Sequence, residues 1–100
     1  MGEALGTLLR SNTPALEELD VSGCILRQAG MMPLLEGLRH NTHLRTLHCQ
    51  RNFMCDVFEK YALLPAVRAN TSLRQLYASG ERSFDGAEEA EMLVSWRREH

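Results

Sequence analysis

Cysteine is scarce and odd in number, with 3 residues in 100, and the chain carries no export signal. That combination suits a reducing compartment and argues against a disulfide scaffold. A large excess of one charge is also lacking. The 13 acids stand against 11 bases, for a net charge of −2, so no basic face wide enough for nucleic acid is expected. Apolar runs are short, as at Tyr61 to Leu64, so no segment is expected to span a bilayer and none resembles a secretory core. The opening Met1-Gly2-Glu3-Ala4-Leu5-Gly6 has the glycine of a myristoylation site but Gly6 where Ser or Thr is usual, which argues against a lipid anchor. The expected location is cytoplasmic, with no membrane and no nucleic-acid partner. At 44% hydrophobic, 24% charged and 6% aromatic residues, the composition is that of an ordinary soluble protein, neither disordered nor fibrous. One hundred residues make one domain or a piece of a larger one.

What the chain does have is internal repetition. Segments that start at Leu16, Leu44 and Leu73 align with one another, 28 and 29 residues apart. An Asn-Thr pair recurs as Asn12-Thr13, Asn41-Thr42 and Asn70-Thr71, spaced by 29 both times. Carried by that spacing, Leu5 and Leu9 fall on Leu34 and Leu38 and then on Leu63 and Val67. The chain therefore reads as a partial unit (1–15), two units (16–43 and 44–72) and a degenerate or capping unit (73–100). Each unit changes period partway. Leu16, Leu19 and Val21, then Leu44, Leu47 and Cys49, then Leu73, Leu76 and Ala78 end in the two-residue alternation of a half-buried strand. Leu34, Leu35 and Leu38 follow at helical spacing, as do Phe58, Tyr61, Ala62, Leu64 and Val67. Asp56 with Glu59, and Asp85 with Glu88, have the spacing of capping boxes. Pro65 should end or bend its helix, and Pro33 should sit in a first turn.

The run Leu16-x-x-Leu19-x-Val21-x-x-Cys24-x-Leu26, with Gly30, Leu34 and Leu38 behind it, resembles the leucine-rich repeat of the ribonuclease-inhibitor type. Leu44, Leu47, Cys49, Asn52 and Met54 fit the same pattern, although Phe58 stands where a glycine is expected. The third unit keeps Leu73, Leu76 and Ala78 and departs at Glu81 and Ser83. This resemblance implies an α/β solenoid, a short right-handed superhelix with parallel strands on its concave side and helices on its convex side. It also implies the company such repeats keep: innate-immune receptors, regulators of small GTPases, actin-pointed-end proteins and bacterial effectors. Strands are expected near 18 to 21, 46 to 49 and 75 to 78. Units of this kind are stable as stacks, so a short array with open ends should self-associate.

Chemistry is sparsely marked. Phosphate loops, Gly-x-Ser-x-Gly, His-Glu-x-x-His and Cys-x-x-Cys are all missing, so no cofactor is expected. His40, His43, His48, Cys49 and Cys55 are close in sequence, but neighbouring strand residues such as His48 and Cys49 face opposite ways and cannot share one metal. Cys55 precedes a helix start that could activate a thiol, yet a catalytic pairing with His43 or His48 needs an orienting group and a cleft. Cys24 and Cys49 are expected to be structural. Glu88, Glu89 and Glu91 at one end of the last helix, and Arg97 and Arg98 at the other, complement its dipole. Trp96, with Met92 and Leu93, should close the core.

If Leu16, Leu19 and Val21 point inward, the residues between them point outward and stack into columns: Glu17, Arg45 and Arg74; Glu18, Thr46 and Gln75; Asp20, His48 and Tyr77; Ser22, Gln50 and Ser79. The expected function is a protein–protein interaction module without enzymatic activity. It would bind an unidentified protein through Glu18, Asp20, Arg45, His48, Gln50, Arg74 and Tyr77 on the concave sheet. The alternatives are a fragment of a larger enzyme or regulator, such as a cysteine-dependent transferase or ligase or a GTPase-activating protein, and a purely structural stacking unit.

Overall fold

Strands and helices alternate in the computed structural model, which describes residues 2–12, 16–24, 26–52, 54–80 and 84–99. Helix α1 (Gly2–Arg10) leads to β1 (Glu18–Asp20), and α2 (Arg27–His40) leads to β2 (Thr46–His48). A longer helical run follows: α3 (Asp56–Phe58), a π turn (Glu59–Leu63) and α4 (Leu64–Ala69). It leads to β3 (Gln75–Tyr77) and α5 (Asp85–Glu99). The strands are parallel, in the order β1-β2-β3. Leu19, Leu47 and Leu76 lie opposite one another, and so do Asp20, His48 and Tyr77. The class is mixed α/β with a small open parallel sheet. The strands fall in the three expected places, each one residue shorter.

The core follows the unit spacing. Leu34 and Leu63 are fully buried at one equivalent position, and Leu9, Leu38 and Val67 at the next. Leu47, Cys49, Leu76 and Ala78 are buried beneath the sheet, whereas Leu16 and Leu19 at the open β1 edge are only partly covered. Helices α1 and α2 approach so closely that a Cβ on Gly37 would meet the Gly6 carbonyl at 2.5 Å and the Leu9 Cβ at 2.9 Å. Glycine is required there by space.

Buried carboxamides join each unit to the next. The Asn41 Nδ2 donates to the Leu9 carbonyl at 3.0 Å, while its Oδ1 accepts from the His43 and Leu44 amides at 2.9 and 2.6 Å. One unit on, the Asn70 Nδ2 donates to the Leu38 and Asn41 carbonyls, both at 2.9 Å. Its Oδ1 accepts from the Ser72 and Leu73 amides. Asn52 also joins two units after β2, but with other partners: it donates to Val21 of the unit before it and to Cys49 of its own turn, and accepts from the Leu26 amide of the unit before it. These irregular turns would otherwise bury unpaired backbone groups.

The helical run through Pro65 departs from expectation. Proline has no N–H and crowds the carbonyl four residues before it, so the chain was expected to stop or bend. Instead the preceding turn widens, with the Leu64 amide bonded to the Glu59 carbonyl five residues back, and helix continues to Ala69. The extra residue also shifts the helical phase. Phe58 and Leu63, five apart, are buried, and Tyr61 is 77% exposed rather than in the core. Pro33 likewise lies well inside α2, not in its first turn.

Glu59 does not cap its own helix. Its carboxylate is buried against α5, accepting from the Phe84 amide at 3.0 and 3.2 Å and the Ala87 amide at 3.0 Å. The expected Asp56–Glu59 box is therefore not formed, and Cys55 takes the N-cap position without a side-chain bond. At the start of α5 the Phe84 and Ala87 amides are met by Glu59, from outside the helix. Gly86 lets the elements touch, since a Cβ there would lie 2.7 Å from the Glu59 Cβ. On α5 itself Ala87, Ala90 and Val94 are buried, while Met92 and Trp96 are 70% and 60% exposed, so neither closes the core.

Asn70→Ala should cost at least about 2 kcal/mol, because it strands several buried backbone groups. Asn12→Gly, which loses only exposed bonds to Thr42, should cost less than about 1 kcal/mol. Urea titration of both variants checks the contrast. Burial holds the Glu59 carboxyl above its ordinary value of 4.5, against the lowering effect of the Ala87 and Phe84 amides. Between the unfolded and the raised folded value the folded chain binds more protons, so the Glu59 contribution to stability falls as pH rises through that window. Glu59→Gln, which keeps an acceptor oxygen and cannot ionise, should remove that fall in urea midpoints measured across acidic pH.

Candidate functional site

The outward face of the sheet is narrow and connected. His48, half-buried in the middle strand, stacks on Tyr77 of β3 with ring centroids 4.6 Å apart and planes 12° apart. Its Nε2 lies 2.8 Å from the Glu18 Oε2 on β1. Beside this row, the Thr46 hydroxyl donates to the Gln75 Oε1 at 3.2 Å. Parallel register sets His48 beside Tyr77, and Glu18, which lies opposite Thr46, reaches diagonally to His48, so the three side chains make one connected line with the Tyr77 end 42% exposed.

The other residues selected from the sequence sit around this line with their own bonds. Asp20 accepts from the Ser22 hydroxyl at 2.6 Å and the Ser22 amide at 2.9 Å, which together hold its carboxyl below the usual range. Arg45 reaches the Ser72 carbonyl at 3.3 Å, and Arg74 the Thr71 and Leu73 carbonyls at 2.9 and 3.0 Å. The Gln50 Oε1 is buried without a hydrogen-bond partner.

Residues of α5 complete the surface, among them Glu91, Arg97 and Arg98, which were expected only to complement the helix dipole. Glu91 turns to the sheet. It accepts from the Ala78 and Ser79 amides at 2.6 and 2.8 Å and from the Ser79 hydroxyl at 2.7 Å. Arg97 reaches across to the end of α4, donating to the Val67 carbonyl at 2.7 Å. Glu91, Ser95 and Arg98 share one helical stripe that walls a cleft of ≈ 340 Å³ beside β3. The four-residue spacing of Glu91 and Ser95 was legible, but the direction of the stripe depends on how α5 packs.

The cysteines separate by environment. Cys49 is fully buried beneath the sheet, and burial pushes its thiol up to about 12, with the Glu91 and Glu59 charges adding to the effect. Cys55 is exposed and its sulfur accepts from the Gln28 amide at 2.7 Å. Cys24 is exposed as well, so it does not do for its turn what Asn52 does one unit later.

Among solved structures, the chain is similar to the tropomodulin C-terminal domain of Caenorhabditis elegans, at 13% identity over 98% of this chain and 93% of that one, with a TM-score of 0.47. No protein-family model matches the chain, and no curated protein matches it. The architecture itself corrects the resemblance to ribonuclease-inhibitor-type repeats. The described residues form a three-stranded parallel sheet with helices, not a clear array of that type. The second unit's helix contains a π turn, Cys24 is exposed where the pattern needs a buried turn residue, and the departures at Glu81 and Ser83 lie outside the described residues. No helix of the described residues is long and apolar enough to cross a membrane.

A thiol reagent at neutral pH should label Cys24 and Cys55 within the time that leaves Cys49 intact, because a buried thiol of high pKa supplies little reactive thiolate. Mass spectrometry before and after denaturation checks this. Fast native labelling of Cys49 would contradict its placement.

Proposed function

We propose that the chain is a protein–protein interaction module that engages a protein partner across its exposed sheet face. Glu18, Asp20, Arg45, His48, Gln50, Arg74 and Tyr77 would form the contact, on a short solenoid of stacked strand–helix units. The observation that carries this reading is the Glu18–His48–Tyr77 row. Three strands present side chains already fixed against one another, with an accessible aromatic ring at one end. Tyrosine and arginine anchor interfaces because they offer a large contact area together with hydrogen-bonding groups, and side chains held in advance lose less entropy on binding. The module performs no reaction of its own in this reading. The three unpaired cysteines support a reducing, cytoplasmic setting.

Tyr77→Ala should leave the thermal melt within about 0.5 kcal/mol of the parent chain. At a central contact the same change should weaken the partner by about 2 kcal/mol. Calorimetry with a partner identified by cross-linking supplies the measurement. Normal binding by Tyr77→Ala and His48→Ala, together with loss of binding in Val57→Ala or Met92→Ala on the helical side, would overturn the reading.

A further inference from the structure

The cleft between β3 and α5 has a charge excess that the chain itself leaves unbalanced. Arg74 lines one wall and Arg98 the other, with Tyr77 beside them and Gln50 also lining the cleft. Arg97, next along α5, is depressed below the ordinary guanidinium range by burial and by the nearby Arg74 charge. Among the described residues, no acidic side chain forms an ion pair with any of these three arginines. Arg74 donates to turn carbonyls, Arg98 reaches the Ser95 hydroxyl at 3.5 Å, and the Arg97 Nη1 is buried without a partner. Glu91, the acid that lines the cleft, already accepts three bonds from Ala78 and Ser79.

We propose that this cleft is the docking site for an acidic, extended segment of a protein partner, with a carboxylate seated between Arg74 and Arg98. The inference rests on the sheet face being the binding surface and names the chemistry of what binds there. Charge complementarity selects an anion, since arginine recognises carboxylates through paired N–H donors. Two further features select a peptide over a free anion. The Gln50 oxygen lacks a donor, which a peptide N–H supplies once the amide turns to meet it, and the exposed Tyr77 ring gives an adjoining side chain an apolar surface.

The test uses the full chain and a short fluorescein-labelled peptide of alternating glutamate and valine, with a matched peptide carrying lysine for glutamate. Fluorescence anisotropy should show the acidic peptide bound, its affinity falling as salt is raised, and the lysine peptide unbound. Arg98→Glu, at an exposed position, should weaken the acidic peptide by more than about tenfold with an unchanged melt. Arg74→Ala should weaken it in the same direction. Absence of acidic-peptide binding, equal binding of the lysine peptide, or parent-like affinity in both arginine variants would overturn the proposal. Displacement by inorganic phosphate at the concentrations where unlabelled peptide displaces would overturn it in favour of a simple anion site. Glu18→Ala and His48→Ala lie on the same face outside the cleft. If they weaken the natural partner while Arg98→Glu does not, the sheet-face reading stands and this one falls. If they leave the natural partner unaffected while Arg98→Glu abolishes peptide binding, the docking site stands and the broader surface is wrong.

Discussion

A carboxamide that donates to the carbonyls of the unit before it and accepts from the amides of its own turn is the interaction on which the other elements depend. Asn41 and Asn70 occupy equivalent positions 29 residues apart and bond in the same way, while Asn52 accepts from the Leu26 amide of the unit before it and donates both to Val21 of that unit and to Cys49 of its own turn. Without them, short strands of three residues would have to hold their turns by ladder bonds alone. Because each side chain is nearly or wholly buried, water cannot substitute for it. The register that aligns Asp20, His48 and Tyr77 is thus fixed from the turns inward, and the exposed row inherits its order from buried amides.

The two open edges of the sheet are treated alike by different means. On parallel strands, alternate residues direct their backbone groups to opposite sides, so every edge strand presents unpaired amides. At β1 the Ser22 amide turns to Asp20, and beyond β3 the Ala78 and Ser79 amides turn to Glu91. A carboxylate in each place supplies acceptors that a further strand would offer. The bonds at the β3 end also hold the Glu91 carboxylate on the wall of the cleft that Arg74 and Arg98 line.

Much of this was legible in the sequence. The two-residue alternation ending at Val21, Cys49 and Ala78 located all three strands, because strand burial repeats with a short period that few residues suffice to reveal. The recurrence of Leu34 and Leu63, and of Leu9, Leu38 and Val67, located the buried helix faces. What failed depended on contacts between units. Tyr61 looked like a core residue because it follows the regular helical spacing of Phe58, Ala62 and Leu64, and one added residue in the turn rotates it to solvent. Glu59, Glu91 and Arg97 looked like local helix terms, yet each bonds a different element, at separations of 12 to 30 residues. A charge that satisfies its own helix and one that satisfies a neighbour have the same spacing in sequence, so only the packed chain distinguishes them. Alternation was enough to set Asp20, His48 and Tyr77 side by side, but it could not reveal the cleft, whose second wall is set by the orientation of α5.

The reach of the asparagine bonds has a bearing on how the chain assembles. Between units they join residues separated by 26 to 32 positions, about one unit each time. Loop-closure entropy grows only with the logarithm of the segment being closed, so every step of stacking meets nearly the same entropic barrier as the one before. No step requires the two ends of the chain to find each other first. Among these bonds none closes a loop longer than 32 residues, so none has to wait for distant parts of the chain to meet.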